Sequence, residues 1–102
     1  MDKSHIVKMQ EFYENNLSDI EATKIFEEKL ISEKNYLRGK GFSITFEQDI
    51  QKATGMSAPN KLLVTTCRLK NGSMLNEGSA FGHDSHSKYK ALIEAIKNTV
   101  KN

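Results

Sequence analysis

The sequence has little of what marks exported, membrane-spanning or modular proteins. Its single cysteine, Cys67, cannot form an internal disulfide, which favours a reducing compartment. No apolar run approaches the roughly 20 residues that cross a bilayer. Residues 1–5 lack the apolar stretch of a signal peptide. The only proline is Pro59, so nothing resembles a proline-rich linker. We therefore expect one cytoplasmic domain over residues 1–102, with no membrane contact.

Charge is divided unevenly along the chain. The net charge is +2, but residues 1–51 carry −3 and residues 52–102 carry +5. A basic second half favours an anionic partner, although a lysine-rich solvated surface would have the same composition. Thirteen of the fifteen basic residues are lysine. Lysine suits non-specific attraction to phosphate better than recognition of base edges, for which arginine is preferred.

Two helices are predicted in residues 1–39. Apolar side chains recur at helical spacing within residues 5–16 and again from residue 22 onward. Residues 18–21, Ser-Asp-Ile-Glu, fit a capping box at the start of the second helix. Because Gly39 and Gly41 are good C-terminal caps, we expect this helix to end near Arg38.

Three strands are predicted in the rest of the chain. Residues 42–47 alternate apolar and polar side chains, as expected of a half-buried strand. Gly, Ser, Pro and Asn residues predict a loop over residues 51–60. Two further strand-like runs follow, at 62–70 and 73–81.

A hairpin turn is predicted between the last two runs. Asn71-Gly72 is the preferred pair for a two-residue type I′ turn, because both residues accept positive φ. Such a turn would pair Lys70 with Ser73. The face that carries Cys67 is then the expected core face. The opposite face, which carries Phe81, is expected to be solvent-exposed or a contact surface.

A last helix closes the chain. Asp84 or Ser85 can cap it, and apolar side chains form a stripe from Tyr89 to Val100, with lysines mostly on the other side. The predicted fold is therefore α+β. Helices in residues 1–39 precede a β-β-β-α core in residues 40–102, with a three-stranded antiparallel sheet and the C-terminal helix packed on one face.

The junction of the third strand and the last helix carries the most polar side chains. A helix N-terminus attracts phosphate through its free N–H groups and partial positive charge, although a wet, capped connection would have a similar sequence. His83, Asp84 and His86 are neighbours on one turn, and such donors rarely converge on one metal ion. Cys67 lies in mid-strand, where a thiol is usually an inert small hydrophobe. We expect no metal, no cofactor and no enzymatic activity.

The predicted order helix, three strands, helix resembles the double-stranded-RNA-binding domain over roughly residues 20–101. In that family a Ser-Lys-Lys-x-Ala-Lys run opens the last helix, and Ser87, Lys88 and Ala91 match it. The family's lysines bind phosphates across the major groove, while its first helix and first hairpin loop touch minor grooves. Tyr89 and Leu92 stand where two of those lysines are found. The resemblance implies a phosphate-binding last helix.

A second resemblance is to phage single-strand annealing proteins, which are related to a eukaryotic recombination mediator. Their three-strand meander is followed by a helix with an acidic residue, a small or apolar pair, and basic residues. Residues 94–98, Glu-Ala-Ile-Lys-Asn, are similar, with Asn98 in place of the second basic residue. This resemblance implies assembly in rings or filaments on single strands. The short, lysine-rich chain also favours a phage or mobile-element origin.

Two functions are expected from these observations. The first is a non-catalytic module that binds the phosphate backbone of double-stranded or structured RNA or DNA. Its expected contact residues lie at the last helix, the first hairpin loop and the chain's end: His86, Ser87, Lys88, Lys90, Lys97, Lys52, Asn60, Lys61 and Lys101. The second is a small regulator or inhibitor, encoded by a phage or mobile element, that binds a host protein or forms a homo-oligomer. The first function requires cations from distant stretches to converge beside the start of the last helix.

Overall fold

The computed structural model describes residues 3–16, 22–52 and 61–100, apart from the side chains at positions 22, 51, 52 and 61. The element order is α1 (Lys3–Asn15), α2 (Ala22–Gly39), β1 (Ser43–Lys52), β2 (Lys61–Asn71), β3 (Met74–Phe81) and α3 (Ser85–Val100). The strands form one antiparallel sheet in the order β1-β2-β3, and α3 packs on β3 and β2. The predicted α+β fold is confirmed.

The apolar stripe of α3 forms the centre of the core. Tyr89, Leu92, Ile93 and Ile96 are fully buried. Aromatic rings continue this core into the N-terminal helices: the centroid of Phe26 in α2 lies 5.2 Å from that of Tyr89 and 5.2 Å from that of Phe12 in α1. Burial of such large side chains is the main favourable contribution to folding.

The end of α2 agrees with its prediction. The N–H of Phe42 donates to the carbonyl oxygen of Leu37, and that of Gly41 donates to Arg38, both at 3.0 Å. Gly41 has φ +90°. This pattern is a Schellman motif, in which glycine takes the left-handed conformation and the chain leaves the helix directly for β1.

The β2–β3 turn differs from the prediction. Asn71 pairs with Met74 and Lys70 pairs with Leu75, so the predicted pairing of Lys70 with Ser73 is wrong by two residues. The two turn residues are Gly72 and Ser73, and of these only Gly72 has positive φ, at +62°. A single positive φ at the first turn position is the pattern of a type II′ turn, which favours glycine there.

The assignment of side chains to the two faces of the sheet is unaffected by this change of register. Side chains alternate with a period of two, so a shift of two residues leaves each one on its predicted face. Cys67 is fully buried under the helices, and Phe81 is 76 % exposed on the opposite face.

The stem of the β1–β2 hairpin is longer than predicted. β1 continues to Lys52, although residues 51 and 52 were expected in a loop; residues 53–60 of that loop lie outside the described residues. Ile50 and Leu63 are paired there, on the side of the sheet that carries the helices, yet they are 61 % and 42 % exposed. This part of the stem is therefore not covered by the described helices, so no burial pattern marks its length in the sequence.

Candidate functional site

The start of α3 lies at the same end of the molecule as the β1–β2 hairpin stem. The N–H of Gly82 donates to the carbonyl oxygen of Leu63 at 2.7 Å. The ring nitrogen Nε2 of His83 donates to the carbonyl oxygen of Asp49 at 2.9 Å, and Gln48 donates to the His83 carbonyl oxygen at 3.0 Å. These bonds hold the β3–α3 connection against β1. We refer to this region, residues 48–52, 61–63 and 82–88, as the stem end.

Two of the expected contact lysines meet in the backbone ladder of the stem end. Lys52 and Lys61 are paired Cα partners at the last described position of the β1–β2 ladder. Their side chains lie outside the description, as do Asn60 and Lys101. The hairpin stem and the start of α3 therefore lie at the same end of the sheet at the level of the backbone, and convergence of the cations themselves stays a prediction.

The N-terminus of α3 is capped by an acidic side chain. Asp84 Oδ1 accepts the backbone N–H of Ser87 at 2.8 Å. The hydroxyl of Ser87 lies 2.7 Å from that same oxygen and 2.7 Å from the carbonyl oxygen of Phe81, with one proton to donate between them. Ser87 is itself buried. The backbone N–H and the hydroxyl of Ser87 are therefore engaged within the protein, and the Asp84 carboxylate occupies the position at the helix N-terminus where a phosphate would bind.

The cap carboxylate stays ionised near neutral pH. Partial burial acts to raise the pKa of Asp84, but the hydrogen bonds from Ser87 and the nearby His86 outweigh it, and the net pKa is lowered. Because its charge opposes an incoming anion, phosphate contacts at this end would come from lysine side chains and not from the helix amides.

His86 is directed into the molecule. Its ring lies 4.4 Å from the ring of Phe26, at an interplanar angle of 48°. Its Nε2 atom is buried and has no hydrogen-bond partner among the described residues. A position three residues before Tyr89 and seven before Ile93 lies on the buried stripe of the helix, so helical spacing could have predicted this orientation.

Lys90 and Lys97 share one carboxylate. Their Nζ atoms lie 3.2 Å and 3.4 Å from Glu94 Oε1. Lys90 also lies 5.5 Å from the centroid of the Tyr13 ring. Burial acts to raise the pKa of Glu94, but its contacts with the two lysines outweigh burial and the net pKa is lowered. The i,i+4 and i,i+3 spacings could have revealed this cluster in the sequence.

Lys88 has a different environment. It is half-buried, and among the described residues no carboxylate pairs with it. Of the expected contact side chains that the structure describes, Lys88 is thus the cation whose charge is not already matched by a close acid.

A separate group of cations lies at the other end of the sheet, and we call it the turn end. Arg38, Lys40 and Lys70 are all exposed there. Lys70 pairs with Ser43 at the start of β1, and Lys40 Nζ lies 5.2 Å from the centroid of the Tyr36 ring. The sequence analysis missed this group because only strand register brings Lys70 close to Arg38 and Lys40. Arg38 is in the last turn of α2, where a cation interacts favourably with the helix dipole.

The open face of the sheet is mostly polar. Arg68 forms ion pairs with Glu77 of β3, at 3.0 Å, and with Glu47 of β1. Thr66 and Ser79 are hydrogen-bonded at 3.0 Å. These contacts join all three strands across the centre of the face, and larger apolar side chains remain only towards its ends.

The described residues show no arrangement with evident catalytic chemistry. Cys67 is fully buried, and burial raises the pKa of its thiol to about 12, which keeps it protonated. No group of three or more His, Cys, Asp or Glu side chains converges within residues 3–16, 22–52 and 61–100.

Comparison with protein families, curated proteins and solved structures gives no significant match to this chain. The order α2-β1-β2-β3-α3 is the order that the double-stranded-RNA-binding resemblance implied, but neither resemblance gains support from these comparisons. None of the helices within the described residues combines the length and apolarity that a bilayer crossing needs.

Proposed function

We propose that this protein is a non-catalytic module that binds the phosphate backbone of double-stranded or structured nucleic acid through the stem end. The observation that carries the proposal is the set of hydrogen bonds between the β3–α3 connection and the hairpin stem. Through these bonds Lys88 belongs to the same end of the molecule as the paired residues Lys52 and Lys61.

The chemistry of this end suits backbone contact without sequence recognition. Lysine ammonium groups neutralise phosphates as point charges and release condensed counterions, whatever the base sequence. Asp49 and Asp84 at the same end reduce the net positive charge, which favours moderate affinity, and this affinity should fall with salt because it depends on lysine–phosphate contacts. Lys90 and Lys97 contribute less, because Glu94 already accompanies them.

The proposal is tested by removing equal charge from the two ends of the molecule. The site variant combines Lys52→Gln, Lys61→Gln and Lys88→Gln. The matched control combines Arg38→Gln, Lys40→Gln and Lys70→Gln at the turn end. Binding is measured by fluorescence anisotropy with labelled RNA duplexes, DNA duplexes and single strands of about 20 nucleotides per strand, longer than the roughly 16 base pairs that a double-stranded-RNA-binding domain spans.

We expect the site variant to lose at least about tenfold in affinity for a duplex at low salt, and the control to lose less than about threefold. Equal losses in both variants would mean that only net charge matters, and would refute the stem end as the site. Absence of binding by the wild-type chain at low salt would refute the function itself.

Protein binding is the second candidate function, and exposed apolar side chains favour it. Leu62 lies on the open face of the sheet, two residues from Val64, which is the register partner of Phe81, and the side chains of Leu62 and Phe81 are 40 % and 76 % exposed. Clustered exposed apolar groups commonly mark contact surfaces. A stable homodimer in solution, or a host protein retained after nuclease treatment and lost in the Phe81→Ser variant, would favour this function.

A further inference from the structure

The free edge of β3 has backbone groups that point away from the sheet. β3 is an outer strand in the order β1-β2-β3. Gly82 and Leu63 form a hydrogen-bonded pair that continues the β2–β3 ladder, because the N–H of Gly82 donates to the carbonyl oxygen of Leu63. Such pairs alternate along an antiparallel ladder, so the backbone groups of Glu77, Ser79 and Phe81 point outward.

Two side-chain contacts agree with this alternation. Asn98 Nδ2 donates to the carbonyl oxygen of Glu77 at 2.5 Å, and the Ser87 hydroxyl lies 2.7 Å from the carbonyl oxygen of Phe81. Both contacts approach β3 from its free side. They leave the N–H groups of Glu77 and Phe81, and both backbone groups of Ser79, without a hydrogen-bond partner among the described residues.

A groove of about 670 Å³ runs beside these groups. One wall is β3 from Glu77 to Phe81, and the other is a stripe of α3 with Lys90, Glu94 and Asn98, beside which Tyr13 of α1 also lines the groove. Gly78 explains how the walls come together, because a Cβ atom there would overlap the backbone of α3 at Ala91 and Ala95. The helix can therefore lie directly against β3, with the stripe along the free edge.

We infer that this groove accepts an extended polypeptide segment of another protein, which pairs with β3 as a fourth strand. Outward N–H groups at alternate residues are spaced roughly 7 Å apart. A single extended chain presents carbonyl oxygens at that spacing and also N–H groups that can donate to the carbonyl oxygen of Ser79, whereas the phosphate backbone of a nucleic acid has no N–H donor. The stretch from Glu77 to Phe81 is about 14 Å long, which accommodates about five residues of a partner.

The side chains around the groove define the partner further. Lys90 and Glu94 are paired with each other, so the helix wall does not select strongly for charge. The Phe81 ring, 76 % exposed, offers an apolar contact on the open face of the sheet. A segment with an apolar residue beside Phe81 and uncharged residues towards α3 fits best. A second copy of this chain fits less well, because Asn98 and Ser87 occupy the carbonyl oxygens of Glu77 and Phe81, so each β3 edge offers three free N–H groups but one free carbonyl oxygen and two copies would leave donors unpaired.

The inference rests on the second candidate function and assigns it a surface. The experiment selects binders from a phage-displayed library of random linear heptapeptides on the folded wild-type chain. The selected peptides are then measured against Ser79→Pro, Ser79→Thr and Ile50→Pro. Proline at Ser79 removes an outward N–H, a position at which edge strands tolerate it. Ser79→Thr keeps the N–H, and Ile50→Pro removes an outward N–H from the β1 edge.

We expect peptide affinity to fall at least tenfold in Ser79→Pro and to stay within about threefold in the two controls. The backbone amides of Glu77, Ser79 and Phe81 gain hydrogen-exchange protection in the wild-type complex. N-methylation of alternate residues of the peptide abolishes binding, and this result does not depend on the folding of any variant.

Three results would overturn the inference. The first is a library that yields no binders. The second is a set of binders whose affinity is unchanged by Ser79→Pro and by N-methylation. The third is self-association of the chain that Ser79→Pro abolishes, which would mean that a second copy pairs with β3. A host protein that Phe81→Ser releases and Ser79→Pro retains would uphold the second candidate function while refuting this surface. Nucleic-acid binding is independent of Ser79 and is expected to be unchanged in Ser79→Pro.

Discussion

Replacing Gly78 by alanine tests the packing of α3 on β3, on which the groove beside β3 depends. The added Cβ would overlap backbone atoms of Ala91 and Ala95, and a helix backbone cannot rotate away as a side chain can. Overpacking of a core costs typically 1–3 kcal/mol, and a clash with backbone belongs near the upper limit, at about 3 kcal/mol. A chain of this length has a total stability of roughly 5–15 kcal/mol, so the variant is expected to lose a large part of it.

The same chain offers a glycine whose replacement should act in the opposite direction. Gly39 lies at the end of α2, and a Cβ atom there meets no heavy atom within 4 Å. Alanine is preferred to glycine in helices by up to about 1 kcal/mol, so Gly39→Ala is expected to be neutral or stabilising.

Urea unfolding followed by far-ultraviolet circular dichroism measures both variants. We expect the free energy of unfolding to fall by about 3 kcal/mol in Gly78→Ala and to rise by 0 to about 1 kcal/mol in Gly39→Ala, with similar dependence on urea. A Gly78→Ala variant within about 1 kcal/mol of the wild type would show that α3 does not lie against β3 as described, and would refute the packing argument.

Three further predictions concern single side chains. Tyr89→Phe removes a buried hydroxyl that has no partner among the described residues, so the free energy of unfolding should stay unchanged or rise; a loss above about 1 kcal/mol would reveal a hydrogen bond to that hydroxyl. Cys67, buried and with a pKa raised to about 12, should react with a thiol reagent only as fast as the protein unfolds; rapid labelling of the native chain would contradict its burial. Asp84→Ala should cost about 1 kcal/mol as a lost cap, and Asp84→Asn much less. Because the pKa of Asp84 is lowered by folding, its contribution is present above pH about 4 and is lost as the pH falls through the folded-state value. Asp84→Asn should therefore flatten the acid limb of a pH–stability curve, and an unchanged limb would contradict this assignment.

Local patterns predicted much of the fold because each one has a local cause. The stripe of α3 and the end of α2 at Gly41 depend on residues within a few positions of one another. The strand register is different, since Asn71-Gly72 and Gly72-Ser73 are both plausible turn pairs. The structure has the second pair, with positive φ at Gly72 alone, and the face pattern could not distinguish the two because a shift of two residues keeps each side chain on its face. The length of β1 was missed because the end of the hairpin stem is exposed on both faces and so carries no alternation.

The candidate site was predictable in position but not in detail. The meander topology brings the hairpin stem to the start of α3, which follows from the order of the elements. Whether an individual side chain is free to contact a ligand depends on its close neighbours in the fold. Ser87 is used by the Asp84 cap, and His86 packs on Phe26 from a helix that is distant in sequence. Charge counting along the chain does not register these pairings.

The salt dependence of duplex binding by the wild-type chain tests the central claim most directly. If lysines of the stem end neutralise phosphates, log K falls linearly with log salt concentration by about 0.9 for each phosphate, so three contacts give a slope of about −2.7. A slope in that range, lost in the stem-end variant and kept in the turn-end control, is the predicted result. Duplex binding that persists unchanged in high salt, or no binding at a salt concentration of about 50 mM, would contradict the account.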